Sequence, residues 1–282
     1  MFELSVENNR GEVLNLSTAP YYTVYKITGL NPPKATVNRS VNATTDGSNI
    51  NNVRIENRNI VIYIALTGDV EANRINLYKY FPIKKSVKLY FKNDTRDVYI
   101  EGTVEVIECD LFSNKQIAQI SLICPKPYFK DVNYLINHFG DVTALFEFPF
   151  SISSEGTEIS ALTANQRKSI INAGDVSTGV IISLYAMGSV VNPILYDVLK
   201  GEQMALNFSM QAQDEIVINT NIGEKSITLI RAGVSTNALG YMTPDSDWFT
   251  LEAGDNIFTY EATSGTSNLQ ITFTNSVLYG GV

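Results

Sequence analysis

One histidine, His138, two cysteines, Cys109 and Cys124, and one tryptophan, Trp248, bound the chemistry open to this 282-residue chain. Triad-type nucleophilic catalysis would have to run through His138, in Asn137-His138-Phe139-Gly140, yet the chain contains no Gly-X-Ser-X-Gly elbow and neither cysteine has the neighbours of an activated thiolate. Two cysteines and one histidine cannot by themselves furnish a structural zinc site. Around Trp248 stand Asp245, Asp247, Glu252 and Asp255. Paired carboxylates there would suit glycoside hydrolysis, which is set by separation in space, and three aspartates would suit calcium. Their spacing matches no calcium loop, and acidic side chains in polar loops are usually solvated. No Gly-X-Gly-X-X-Gly or Walker pattern occurs, so no nucleotide cofactor is implied. The expectation is no catalytic residue, no metal and no cofactor, with Trp248 as the one candidate for stacking on a sugar ring.

The elements that would carry these residues read as strands. Tyr and Phe number 15 and 13, and Asn, Thr, Ile and Val are abundant, a palette that favours sheets and turns. Residues 2–6 and 13–16 flank a turn-rich pentapeptide, as a hairpin does. Residues 60–66, Ile-Val-Ile-Tyr-Ile-Ala-Leu, read as a central strand. Gly68-Asp69 opens the one convincing helix, 70–81, with Asp69 to cap it, Glu71 and Lys79 to complement its dipole, and Pro82 to stop it. Val70, Leu77 and Phe81 share its apolar face. Runs at 87–91, 98–107 and 117–123 form an antiparallel meander, in which Tyr99, Glu101, Thr103 and Glu105 separate from Ile100, Gly102, Val104 and Val106. Cys109 and Cys124 fall on successive strands, so a cross-strand disulfide is open geometrically, although free buried thiols are expected in a reducing compartment.

Cys124-Pro125-Lys126-Pro127-Tyr128-Phe129 closes the meander and marks a boundary between a domain at 1–130 and one at 131–282. Residues 131–140 suggest a short helical turn. Beyond 144, short strands punctuated by Gly, Asn and Asp recur every 8 to 12 residues or so, among them 146–152, 180–186, 193–198, 215–219 and 248–251, the rhythm of a β-sandwich. Charge divides the same way: residues 1–130 carry 16 Lys and Arg against 13 Asp and Glu, the remainder 5 against 16, within a net −8. Neither part is a basic stripe, which excludes a generic nucleic-acid binder. No apolar run reaches the roughly 18 to 20 residues of a membrane-spanning helix, and the acidic Met1-Phe2-Glu3-Leu4 does not resemble a secretory leader, so synthesis in the cytosol is expected. One stretch fits no core: 36–52, rich in Asn, Thr and Ser, reads as a long loop or an extended hairpin arm.

The combination of Gly68-Asp69 with Asn73-Arg74, the meander from Tyr90 to Cys109 and the closing Cys124-Pro125-Lys126-Pro127-Tyr128-Phe129 resembles the phage distal tail protein (Dit) family. So do Asn172-Ala173-Gly174-Asp175, Trp248-Phe249-Thr250-Leu251-Glu252-Ala253-Gly254-Asp255-Asn256 and Tyr279-Gly280-Gly281-Val282. The resemblance spans the chain. It implies a mainly β protein with one N-terminal-domain helix: a split-barrel-like, tail-tube-like domain, then a galectin-like or carbohydrate-binding-module-like sandwich. It implies a non-enzymatic virion protein of the tail tip or baseplate, assembled in the host cytoplasm. Its partners would be itself, as a homo-hexameric ring, the tail tube protein, the tail-associated hub or lysin protein and a receptor-binding protein, with DNA passing through the channel unbound. The arm matches no family motif; a ring needs head-to-tail contacts, and Thr36, Asn42, Asp46 and Asn51 of the arm are its candidate contact residues. The alternative reading is a carbohydrate-binding adhesion module of a virion or tail-like particle, with Trp248 as its stacking residue.

Overall fold

The computed structural model describes residues 2–17, 20–41, 44, 46–113, 115–139, 141–144, 160–163 and 167–282. The expected strand at 146–152 lies outside these. Contacts divide the chain into two units, Met1–Val132 with Leu278–Val282, and Asn133–Val277. Residues 278–282, which the sequence places with the second domain, belong to the first. The side chains of buried Arg58 and half-buried Arg96 draw them there, as described below.

The first unit is antiparallel. Its strands are β1 (Glu3–Glu7), β2 (Val13–Asn15), β3 (Tyr22–Thr28), β4 (Ala35–Ser40), β5 (Asn49–Ile55) and β6 (Arg58–Leu66), then, after the helix α1 (Val70–Tyr80), β7 (Ser86–Lys92), β8 (Asp97–Cys109), β9 (Ile117–Cys124) and the start of β10 (Phe129–Phe139). The order β2-β1-β7-β8-β9-β6-β3 makes one sheet, with β10 also pairing β8, while β4 and β5 pair only each other. Strand β6 alternates strictly, burying Ile60, Ile62, Ile64 and Leu66. These pack with Leu4, Leu77, Phe81, Leu89, Phe91, Ile100, Ile120 and Phe129 in the core. Helix α1 is pinned by the features its sequence offers: the Ala72 amide donates to Asp69 Oδ1 at 3.1 Å, and Asn73 Nδ2 donates back to Thr67 O at 2.8 Å. Leu77 and Phe81 are fully buried and Val70 partly so, against the core.

The meander forms as read until Glu105, where a bulge shifts the register between Val104 and Val106. Ile107 and Cys109, not Val106, then pack on the core. Ser121 Oγ fills the irregularity, donating at 2.9 Å to Glu105 Oε2. Residues 131–139 continue β10 as strand and form no helical turn.

The second unit is a two-sheet sandwich. After β11 (Asp141–Ala144) and β12 (Ser160–Thr163), which pair with each other, it contains β13 (Arg167–Asn172), β14 (Ile181–Ala186), β15 (Val190–Asp197), β16 (Glu202–Ala205), β17 (Ser209–Met210), β18 (Glu215–Asn219), β19 (Ser226–Arg231), β20 (Val234–Asn237), β21 (Gly254–Ser264) and β22 (Leu269–Tyr279). One sheet runs β22-β14-β18-β19-β20 and the other β13-β21-β15-β16, with β17 on β15. Phe258 from one sheet and Phe273 from the other meet with ring centroids 4.9 Å apart, and Ile182, Leu184, Leu195, Ile216 and Ile218 surround them. The expected strand at 248–251 forms no ladder. It makes a single bridge, Thr178 to Leu251, and buries Phe249 and Leu251 as core plugs.

Candidate assembly interface

The stretch 36–52 is a hairpin arm. Strands β4 and β5 pair from Ala35 with Ile55 to Ser40 with Asn49, and Asn51 is the extra residue at a bulge. Every residue of both strands is exposed except Thr36, which is half-buried. Paired residues share a face. One face therefore carries Ala35, Val37, Arg39, Ile50, Val53 and Ile55, and the other Thr36, Asn38, Ser40, Asn49, Asn52 and Arg54. Val37, Ile50 and Val53 are 47%, 67% and 53% exposed. A lone two-stranded hairpin is marginal in water, and this one has no core of its own.

Among the expected contact residues, Thr36 and Asn51 lie on the arm, where Ser40 Oγ donates to Asn51 Oδ1 at 3.2 Å, and Asp46 is exposed at its tip. Asn42 lies outside the described residues. The apolar face went unread in the sequence because the bulge at Asn51 breaks its alternation.

The root of the arm is built oppositely. Arg58, 4% exposed, donates to four carbonyls: Nε to Pro127 O at 2.6 Å, Nη1 to Gly29 O at 2.6 Å and Asn31 O at 2.8 Å, and Nη2 to Gly280 O at 2.6 Å. Its guanidinium lies 4.6 Å from the centroid of the Phe129 ring. Burial lowers its pKa from the ordinary arginine value, with Cys124 and Tyr128 acting the other way. Arg96 Nη1 donates to Gly281 O, and the Val282 amide to Leu30 O at 3.2 Å. Gly29, at φ +87°, passes so close to β6 that a Cβ would fall 2.1 Å from Asn59 O. Residues on both sides of the arm are thus held to 278–282.

Several of the residues singled out for chemistry are engaged in other contacts. Exposed His138 meets Thr272 Oγ1 at 2.9 Å. Cys109 and Cys124 are free thiols. Cys109 faces Ala118, six residues along β9 from Cys124, roughly 20 Å and far beyond disulfide reach. Burial pushes the Cys124 thiol up to about 12, so it is protonated and inert at neutral pH. Glu252 receives Lys200 Nζ at 3.0 Å, and Asp255 accepts from Ser169 Oγ at 2.9 Å. Among the described residues no group of three or more His, Cys, Asp or Glu could hold a metal ion. Trp248 is half-buried against the sandwich core, with Lys225 Nζ 5.3 Å from its ring centroid, so stacking on that face would have to displace the lysine.

Residues 173–276 match the family model of the siphovirus-type tail component, C-terminal domain. This stretch of the second unit resembles the Dit family's C-terminal domain. The Dit protein of phage SPP1, described as a paradigm of the hub adsorption apparatus in phages infecting Gram-positive bacteria, shares the fold with a TM-score of 0.69 at 13% identity, over 98% of this chain and 99% of that one. A chain of the phage P2 baseplate in its activated conformation with Ca aligns at TM-score 0.52 and 12% identity, over 98% of each chain. The same baseplate with Sr gives 0.51 and 12%, again over 98% of each. No curated protein matches the sequence.

Two motifs of the Dit resemblance have a structural purpose here. Buried Asn172 accepts from the Gly174 amide at 3.0 Å and donates to Val176 O and Leu251 O, which folds the turn and ties it to the Phe249–Leu251 plug. Buried Asn256 accepts from the Glu252 amide at 2.8 Å and donates to Glu252 O at 2.9 Å, closing the turn before β21. Both satisfy backbone groups at the turns they close.

Proposed function

We propose that this chain is a structural part of a phage tail tip or baseplate, and that its first unit closes with other copies into a ring, six in number, that joins the tail tube to the hub and leaves a channel for DNA. The second unit would then present its sandwich as the mount for receptor-binding proteins. The observation that supports this reading is the arm: an apolar-faced hairpin, exposed throughout, on a root that is saturated with hydrogen bonds. Burying its valines and isoleucines in another molecule would gain on the order of 1.5 to 3 kcal/mol each at full burial, which a free hairpin forgoes. In this reading the chain acts without catalysis in the virion, and the tail tube protein, the hub protein and further copies of itself are its partners. The described helices include none long and apolar enough to cross a membrane.

The arm tests the reading. Deleting 43–51 removes the tip and Ile50 of the apolar face while leaving Arg58 and its carbonyls in place. The expected result is a folded protein that no longer associates. A deletion variant that still forms a full-size ring of undiminished stability would refute the arm's role.

A further inference from the structure

A projecting arm needs a receiving surface, and the first unit contains one of matching character. A concavity of about 640 Å³ is lined by Tyr25, Tyr63, Glu108, Cys109, Asp110, Ile117 and Gln119. Its two tyrosine rings lie 5.9 Å apart and tilted, Tyr25 is 54% exposed, and Lys26 covers one face of Tyr63 at 5.5 Å. Strand β3, which carries Tyr25 at a bulge, pairs only with β6 among the described strands.

We infer that this concavity is the seat for the arm of the next copy, with Arg39 of the arm directed at Glu108 and Asp110. The inference rests on the ring reading and specifies its contact. Three observations support it. The first is chemistry: the arm's apolar face carries one charge, Arg39, beside Val37, Ile50 and Val53, while the hollow offers two aromatic rings and Ile117 with a carboxylate pair at one side. A guanidinium suits that combination, because it can stack on tyrosine and bond carboxylates at once.

The second is position. The arm springs from the end of β6 where Arg58 faces Cys124, and the concavity lies at the other end, where Tyr63 faces Gln119 and Ala65 faces Ile117. Those ends are roughly 20 Å apart along the strand. Donor and acceptor are thus different surfaces of one unit, which makes a heterologous contact, the kind that closes into a ring by rotation. The third is that the arm's apolar side chains are exposed, so the chain's own concavity does not hold them.

The test is a charge exchange, read as the mass of the full-length chain in solution across a concentration series. Arg39→Glu alone, and Glu108→Arg with Asp110→Arg, should each weaken association about ten-fold or more, since each sets like charges together. A chain carrying all three substitutions should return to within a few-fold of the unaltered protein. The proposal is overturned if the acidic reversal leaves association unchanged, or if the combined chain does no better than its weaker parent. Should a reversed chain fail to fold, cross-linking decides independently of charge. In a Cys109→Ser background, Arg39→Cys chains mixed with Asp110→Cys chains should oxidise to heterodimers; homodimers alone, or no dimers, count against the seat. An unaltered chain that never leaves monomer mass sinks the ring reading and this inference with it. An unaltered chain that associates regardless of the reversal leaves the ring standing and removes only the seat.

Discussion

The arm and its root, adjacent in sequence, are built on opposite principles. The arm spends nothing on its own cohesion: one bulged ladder and an apolar face open to water. Its root buries a full positive charge and answers it with four carbonyls and an aromatic face, with no carboxylate among the partners. Neutral acceptors hold the guanidinium by geometry and keep it from competing for an anion, so the root is rigid and indifferent to salt. The contrast teaches a division of labour. A segment meant to be completed by another molecule can be unstable alone, provided that its base is fixed well enough to aim it.

The largest effect expected is at that base. Arg58→Met keeps most of the volume but removes the donor that four carbonyls share, and should cost about 3 to 5 kcal/mol in denaturant unfolding followed by circular dichroism. A loss under about 1 kcal/mol would break the contrast, because the root would then be no better anchored than the arm.

A milder version of the same device sharpens it. In the second unit Asp214, almost wholly buried, takes Arg231 in a two-point grip at 2.8 and 2.5 Å, while the arginine remains 42% exposed. Asp214 also accepts the Gln211 amide at 2.7 Å. The Arg231 hydrogen bonds hold its carboxyl below the usual carboxylate range. A group whose pKa is depressed on folding stabilises above its unfolded value, about 3.9, and that stability fades as pH falls through the lowered native value. Asp214→Asn should therefore cost about 2 kcal/mol at neutral pH and progressively less below about pH 4, seen as converging thermal midpoints of the two proteins. Parallel midpoints at every pH would show that the carboxylate charge contributes nothing. The smallest change in stability is expected for the arm itself, where deleting 43–51 should shift unfolding by no more than about 0.5 kcal/mol while abolishing assembly.

How much of this was legible in the sequence follows from how local each feature is. Helix α1 could be read because its cap, dipole charges and stop lie within 14 residues, and β6 because an unbroken β-branched run admits few alternatives. The sandwich showed in the spacing of its turns. Where one inserted residue resets the phase, pattern failed: Glu105 moved the core face from Val106 to Ile107, and Asn51 hid the arm's apolar side. Residues 248–251 looked like a strand because Trp and Phe favour sheets, yet Phe249 and Leu251 are buried by plugging the sandwich and not by pairing. Arg58 was out of reach altogether. Its partners come from residues 29, 31, 127 and 280, and a carbonyl acceptor has no residue type to search for. The concavity at Tyr25 and Tyr63 is likewise assembled from four strands and the loop after one of them, with no motif to mark it.

The central claim is that this chain is a ring subunit, and the measurement that bears on it most directly is the solution mass of the purified protein by light scattering across a concentration series. A species near six times the 31.2 kDa chain, or two such rings stacked, is the predicted result. A strict monomer at every concentration would contradict it.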